Sequence, residues 1–216
     1  MRKKHKNRIV YGVGINDADY NISEKDANGK QHLCPYYSVW KSMMNRCYGN
    51  RHSLWYNQAY NNITVAPIWH KFSNFKNWME KQPYWSDKNM ELDKDVLIKG
   101  NTEYGPDVCM FVPKLVNNFF KYDYDDNAGV HFCKIRSKWV SKCGYRYHKK
   151  YHTNKEEAKI AYLNAKIKAG EKLANTIIKE EKVKIAFLNR LMPYRNRAQS
   201  LAESLAKPST ALIMPV

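Results

Sequence analysis

Nowhere in the 216 residues do apolar positions approach the roughly 18 consecutive ones that a membrane-spanning helix requires. The opening MRKKHKNR is basic, but it has neither a broad apolar face nor a lipidation signal, so a membrane surface is not the expected partner. No apolar stretch follows it, which sets the expectation of a soluble, cytoplasmic protein. Cysteine is sparse. Cys34, Cys47, Cys109, Cys133 and Cys143 are five in number and contain no C-x-x-C pair, a pattern that excludes a zinc ribbon and a disulfide scaffold and predicts reduced, buried thiols. A glycine-rich nucleotide loop is also missing, since Gly12 and Gly14 lack both a third glycine and a following helix. Negative charge is also in short supply: 20 acidic residues face 37 basic ones, for a net charge of +17. The partner this predicts is a polyanion, nucleic acid above all.

The chain nonetheless has the means to fold. Hydrophobic residues make up 44% and aromatics 13%, enough for real cores, so the cations decorate folded domains. The length and the shift in charge pattern predict two domains and an extension. The turn-prone, acidic YDYDDN at 122–127, with Gly129 beyond it, marks a boundary. Expected are domains over 1–126 and 127–170, then a helical extension and tail over 171–216.

RIVYGVGINDADYNI predicts a strand running into a loop. YYSVWKSMMNRCY, from Tyr36 to Tyr48, spaces its apolar residues as one helical stripe, as does FSNFKNWMEKQ, with Ser73 as its cap and Pro83 as its end. ITVAPIW is a short extended piece. Glu91 to Ile98 predicts a strand and PDVCMFVPKLVNNFF a helix or helix–loop. In the second domain, strands are expected at Gly129 to Lys134, Lys138 to Cys143 and Tyr145 to His152. Thr153 and Glu156 form a capping box for the next helix, Gly170 interrupts it, and a further helix runs to Pro193.

From Gly129 to Lys168, eleven Lys/Arg stand against two Glu, with aromatics interleaved, so phosphate attraction is combined with groups that can touch bases. In the first domain, Asp93 and Asp95 are two apart on the predicted strand and share a side. With Asn101 they could supply oxygens to a divalent metal; alternatively they face solvent or pair with Lys94, Lys99 or Arg46.

YGVGINDADY, CPYYSVWKSMMNRCY, WHKFSNFKNWM and LDKDVLIKGNTEYGPDVCMFV resemble phage-encoded HNH-type (ββα-metal) homing endonucleases. Gly129 to Lys168 is similar to the AP-two/ERF-type DNA-binding domain found beside such nucleases, through its GV, the Lys138–Trp139 pair and the EEA…AY…AK helix. Together the two resemblances cover about 160 residues. They imply an α+β fold: an N-terminal ββα-metal domain, then a three-stranded antiparallel sheet packed on a helix, with a C-terminal helical extension. The implied activity is Mg²⁺- or Mn²⁺-dependent cleavage of duplex DNA, in the host cytoplasm if the chain is phage-encoded. The hairpin His of that family is missing here, where Asp93 and Asp95 flank Lys94. The resemblance therefore implies that Asp93, Asp95 or a donated His70 acts as base, with Asp93, Asp95 and Asn101 or Asn117 around the metal. Alternatively, catalysis is lost and a DNA-binding platform remains, regulating transcription or inhibiting a host enzyme.

The sheet is implied to enter the major groove through Arg136, Lys138, Trp139, Lys142, Arg146, Lys149 and Lys150. These residue types suit the task, since Arg grips guanine bidentately, Lys neutralises phosphate and Trp lies against sugar or a thymine methyl. The alternative for Trp139 is a core position beneath the helix. RNA or a ribosome is a further partner that basic and aromatic residues fit, and the C-terminal extension is a candidate site for a protein partner.

Overall fold

In a computed structural model, which describes residues 7–50, 60–121, 128–144 and 148–206, the chain forms a mixed α+β structure that divides into two units, Met1–Lys114 and Leu115–Val216. The first begins with two hairpins. β1 (Arg8–Val10) pairs antiparallel with β2 (Gly14–Asn16), so the expected single strand turns back on itself. A Cβ at Gly14 would come within 2.9 Å of the Trp40 ring, which is why glycine stands where strand and helix meet. β3 (Ser23–Lys25) and β4 (Gln31–Leu33) form a second, unexpected hairpin, and the Asn28–Gly29 dipeptide between them is its turn signal.

Both predicted stripes are helices. α1 (Pro35–Tyr48) starts on a proline, whose absent N–H costs nothing in a first turn, and buries Tyr37, Trp40, Met43, Met44 and Cys47. β5 (Thr64–Val65) and a 3-10 turn, Pro67–His70, lead to α2 (Phe72–Glu80), which buries Phe72, Phe75 and Met79. Ser73 is not the cap expected of it: the Asp17 carboxylate, arriving from beyond β2, accepts from the Ser73 backbone N–H at 2.9 Å and its hydroxyl at 2.6 Å. The core is aromatic, with Trp40 and Phe75 fully buried and Phe75 edge-on to Trp69 at 5.1 Å. The Trp40 indole N–H donates to the Trp69 carbonyl at 2.8 Å, so its burial leaves no orphan donor. Truncating such a residue to alanine costs about 3–5 kcal/mol.

The predicted strand over Glu91–Ile98 stops early. β6 (Met90–Asp93) pairs antiparallel with β8 (Met110–Pro113), and β7 (Glu103–Tyr104) pairs parallel with β5. β8 falls where a helix was expected. Met110, Phe111 and Val112 are consecutive and all buried, and a strand apolar on both sides cannot be told from a helix by spacing alone. Only beyond Pro113 does α3 (Lys114–Phe119) begin, and the division between units falls after its first residue.

In the second unit β9 (Val130–Cys133), β10 (Lys138–Cys143) and β11 (His148–His152) form an antiparallel sheet in the order β11-β10-β9. α4 (Lys155–Thr176) packs on it and is followed by α5 (Glu181–Asn189) and α6 (Met192–Ala206), the last lying along α4. The helix cap is Asn154, whose side chain accepts from the Glu157 N–H at 2.7 Å, one residue beyond the expected Thr153. Gly170 does not interrupt α4. It is buried inside it, and a Cβ there would meet Leu191 at 2.8 Å and Phe119 at 3.1 Å, so close packing explains the glycine. The expected domain edge at 170/171 therefore lies within one helix, and the edge at 126/127 touches residues outside the described ones. The helix expected to run to Pro193 is instead broken between Thr176 and Glu181, and Pro193 sits in the first turn of α6. No described helix is long and apolar enough to cross a membrane.

Candidate nucleic-acid interface

Residues paired across antiparallel strands share a face, as do alternate residues along one strand. The register Trp139↔His152, Ser141↔Lys150, Cys143↔His148 with Trp139↔Phe132 and Ser141↔Val130 assigns these residues to one side. That side faces α4, because Val130 and Cys143 are buried with Ala158, Tyr162 and Leu163. Trp139 is packed at the edge of the same core, 5.4 Å edge-on to Phe132 and with the Lys155 ammonium of α4 5.5 Å from its ring. It belongs with the helix, as in the core alternative, and not with the exposed cations. Lys150 shares its parity but is exposed on the edge strand.

Beneath the helix, Ser141 is fully buried, with its Oγ 2.8 Å from His148 Nε2 and 2.9 Å from His152 Nε2. A hydroxyl has one proton, so it donates to one imidazole and accepts from the other. Burial, then the nearby Lys150 and His152, push the His148 pKa below the ordinary 6.5, keeping that ring neutral near neutral pH.

The opposite face carries Lys138, Val140 and Lys142 of β10, paired with Cys133 and His131 on one side and Lys149 and Tyr151 on the other. Lys138, Lys142 and Lys149 are exposed. Arg136 joins them from the 3-10 turn Lys134–Arg136, its guanidinium 4.7 Å from the Tyr151 ring centre, and Lys149 Nζ lies 5.6 Å from the same ring. An aromatic face steadies a cation without neutralising it. Among the described residues none of these four cations has a carboxylate partner. The sequence explains why: no acidic residue occurs between Asp126 and Glu156. Glu157 is itself engaged, with the Thr153 hydroxyl donating to it at 2.9 Å and holding its pKa down. Three strands at about 4.8 Å spacing put β9 and β11 about 10 Å apart, comparable with the roughly 12 Å width of the DNA major groove. Arg146 lies outside the described residues.

The carboxylate group of the first unit is arranged differently. Asp93 is buried, and its Oδ1 accepts from the Asp95 N–H at 2.9 Å and the Val96 N–H at 2.5 Å. Lys94 is also buried, and its ammonium donates to both Asp95 oxygens at 2.8 and 2.9 Å and to the Asn101 carbonyl at 2.5 Å. The Asn101 amide donates to the carbonyls of Lys94 at 2.9 Å and Glu103 at 2.6 Å, while its oxygen accepts from the Glu103 N–H at 3.1 Å. Asp95 and Asn101 are thus joined through a lysine, while Asp93 closes the turn on the backbone N–H groups of Asp95 and Val96. A hard divalent cation takes six or more oxygens. Here the oxygens already hold protein donors, and no group of three or more His, Cys, Asp or Glu among the described residues could hold a metal. As arranged, these residues do not fit Mg²⁺ or Mn²⁺. His70 donates from Nε2 to the Val65 carbonyl at 2.9 Å and stands edge-on to Tyr48. Asn117 is half-buried in α3.

Sequence reasoning missed two features. Tyr151, the platform under Arg136 and Lys149, was visible as the alternate residue to Lys149 on a basic strand. Pairing with Lys94 was among the alternatives weighed for Asp93 and Asp95, but the reach of its buried ammonium to the Asn101 carbonyl was not visible, because a lysine between two aspartates reads equally well as a solvated charge. No protein-family model, curated protein or solved structure matches this chain.

Proposed function

We propose that this chain binds duplex DNA through the face of β9–β10–β11 that lies away from α4. The observation that carries the reading is the set Arg136, Lys138, Lys142 and Lys149, which share that face with no described carboxylate to neutralise them. Such a face attracts phosphate from a distance, and its strand spacing suits a B-form major groove better than the deep, narrow one of A-form RNA. Arg136 is the residue suited to a base edge, and the lysines are suited to phosphates. The likeness to the AP-two/ERF-type domain agrees with this mode of docking.

Fluorescence anisotropy with a labelled duplex tests the proposal. The expected result is a log affinity that falls linearly with log salt, by about 0.9 per phosphate contacted, with structured RNA of equal length competing weakly. Flat salt dependence, or preference for the RNA, removes it.

Cleavage is a second reading, favoured by one observation: antiparallel β6 and β8 lead directly into α3, the order of a ββα nuclease motif. The Lys94 tether weighs against it, and for that reason we take binding without cleavage as the function. A plasmid-nicking assay with Mg²⁺ and Mn²⁺ separates the two. Nicking that is lost in Asp93→Ala would restore the nuclease.

A further inference from the structure

Ile135 is 97% exposed, far beyond the next large apolar side chains among the described residues, Ile9 at 59% and Ile68 at 56%. It is the middle residue of the 3-10 turn that joins β9 to β10, with Lys134 and Arg136 on either side. The turn is fixed at both ends. Ser137 closes it in the left-handed region, at φ 48° and ψ 40°, with its N–H donating to the Lys134 carbonyl at 3.3 Å. A non-glycine residue adopts that conformation only where its surroundings enforce it. Arg136 is steadied against Tyr151 of β11, which ties the turn to the sheet. A branched apolar side chain is therefore held out in water between two cations, at the end of the basic face, where it adds nothing to any core.

We infer that Ile135 is an apolar wedge that enters a base step of the bound duplex, while Lys134 on one side of it holds a phosphate and Arg136 on the other a base edge. The inference rests on the DNA-binding reading above. Apolar side chains inserted between bases unstack them at a modest cost that is lowest at pyrimidine–purine steps, so the wedge also selects for deformable sequence. Because Ile135 packs against nothing, its replacement leaves the fold intact.

The test uses the full chain and a duplex that it selects from a random pool, with 2-aminopurine substituted in turn through every step. Wild-type protein at saturation should raise the fluorescence at one step. Ile135→Ala should abolish that rise while still binding, at an affinity reduced by about tenfold, and Ile135→Met should retain it. If wild type and Ile135→Ala both bind and give the same response, or none at any step, the wedge is wrong and the DNA-binding reading stands. The wedge is equally wrong if the alanine variant loses only a dependence on a thymine methyl. If wild type selects no duplex at all, both fall together.

Discussion

Lys94 and Lys138 both belong to short stretches of strand and turn, yet they are used in opposite ways. Lys94 is 7% exposed and its ammonium touches three oxygens, two from Asp95 and one from Asn101. Lys138 is exposed beside Lys142 and Arg136 on a face that no described carboxylate reaches. Breaking a buried pair costs about 3–5 kcal/mol, whereas an exposed cation contributes less than about 0.5 kcal/mol to folding. Each exposed cation, however, adds its share of counterion release on binding DNA. The first unit thus uses charge to close a turn, and the second holds it outward for a partner.

Removing the outward set is the strongest way to break this comparison. The combined change Arg136→Ala, Lys138→Ala, Lys142→Ala and Lys149→Ala should lower duplex affinity by roughly a thousandfold, about 4 kcal/mol at about 1 kcal/mol per contact. It should also flatten the slope of log affinity against log salt by roughly three to four. Thermal unfolding should scarcely move, because no folded-state ion pair is lost. A variant that unfolds with its affinity otherwise unchanged would mean that these cations serve the fold after all.

The reciprocal change sharpens it. Lys94→Met keeps the length of the buried stem but removes the ammonium that donates to the Asp95 carboxylate and the Asn101 carbonyl. The side chain of Asp95 is 39% exposed, so water recovers part of the loss, and the expected destabilisation is about 2–3 kcal/mol in urea unfolding. Duplex affinity, measured where the variant is still folded, should stay within about twofold of wild type. A large loss of affinity would instead assign the turn to the DNA-binding surface.

What was legible in the sequence follows the same division. The strands of the second unit were readable because Trp139, Ser141 and Cys143 alternate with the exposed Lys138 and Lys142, and β10 falls at the expected Lys138 to Cys143. The side on which Trp139 packs was not readable, because parity is fixed only once Val130 and Cys143 are seen beneath α4. In the first unit, β8 reads as helix because its buried run carries no period. Asp95 and Asn101, named in the sequence as candidate metal ligands, both meet the Lys94 ammonium, the pairing that the sequence offered as the alternative for Asp95. Spacing brings side chains near one another, but the competition between a lysine and a cation for the same oxygens is decided by where the backbone turns at Asp95 and Val96.

The smallest expected effect is a footprint read on cysteines, and it tests which unit the duplex covers. Burial pushes the thiols of Cys47 and Cys109 up to about 11 and about 12, so at pH 8 both stay protonated and unreactive. Cys34 and Cys133 are only half-buried and should be alkylated first. Cys133 lies opposite Lys138 on the basic face, whereas Cys34 sits in the first unit beside the Tyr20 hydroxyl, 3.5 Å from it. Iodoacetamide is the reagent to use, because it is neutral and DNA charge will not repel it. Saturating duplex should then slow alkylation of Cys133 several-fold and leave Cys34 unchanged, as read by peptide mass spectrometry. Protection of Cys34 with Cys133 still open would put the duplex on the first unit. The outward cations would then need another ligand.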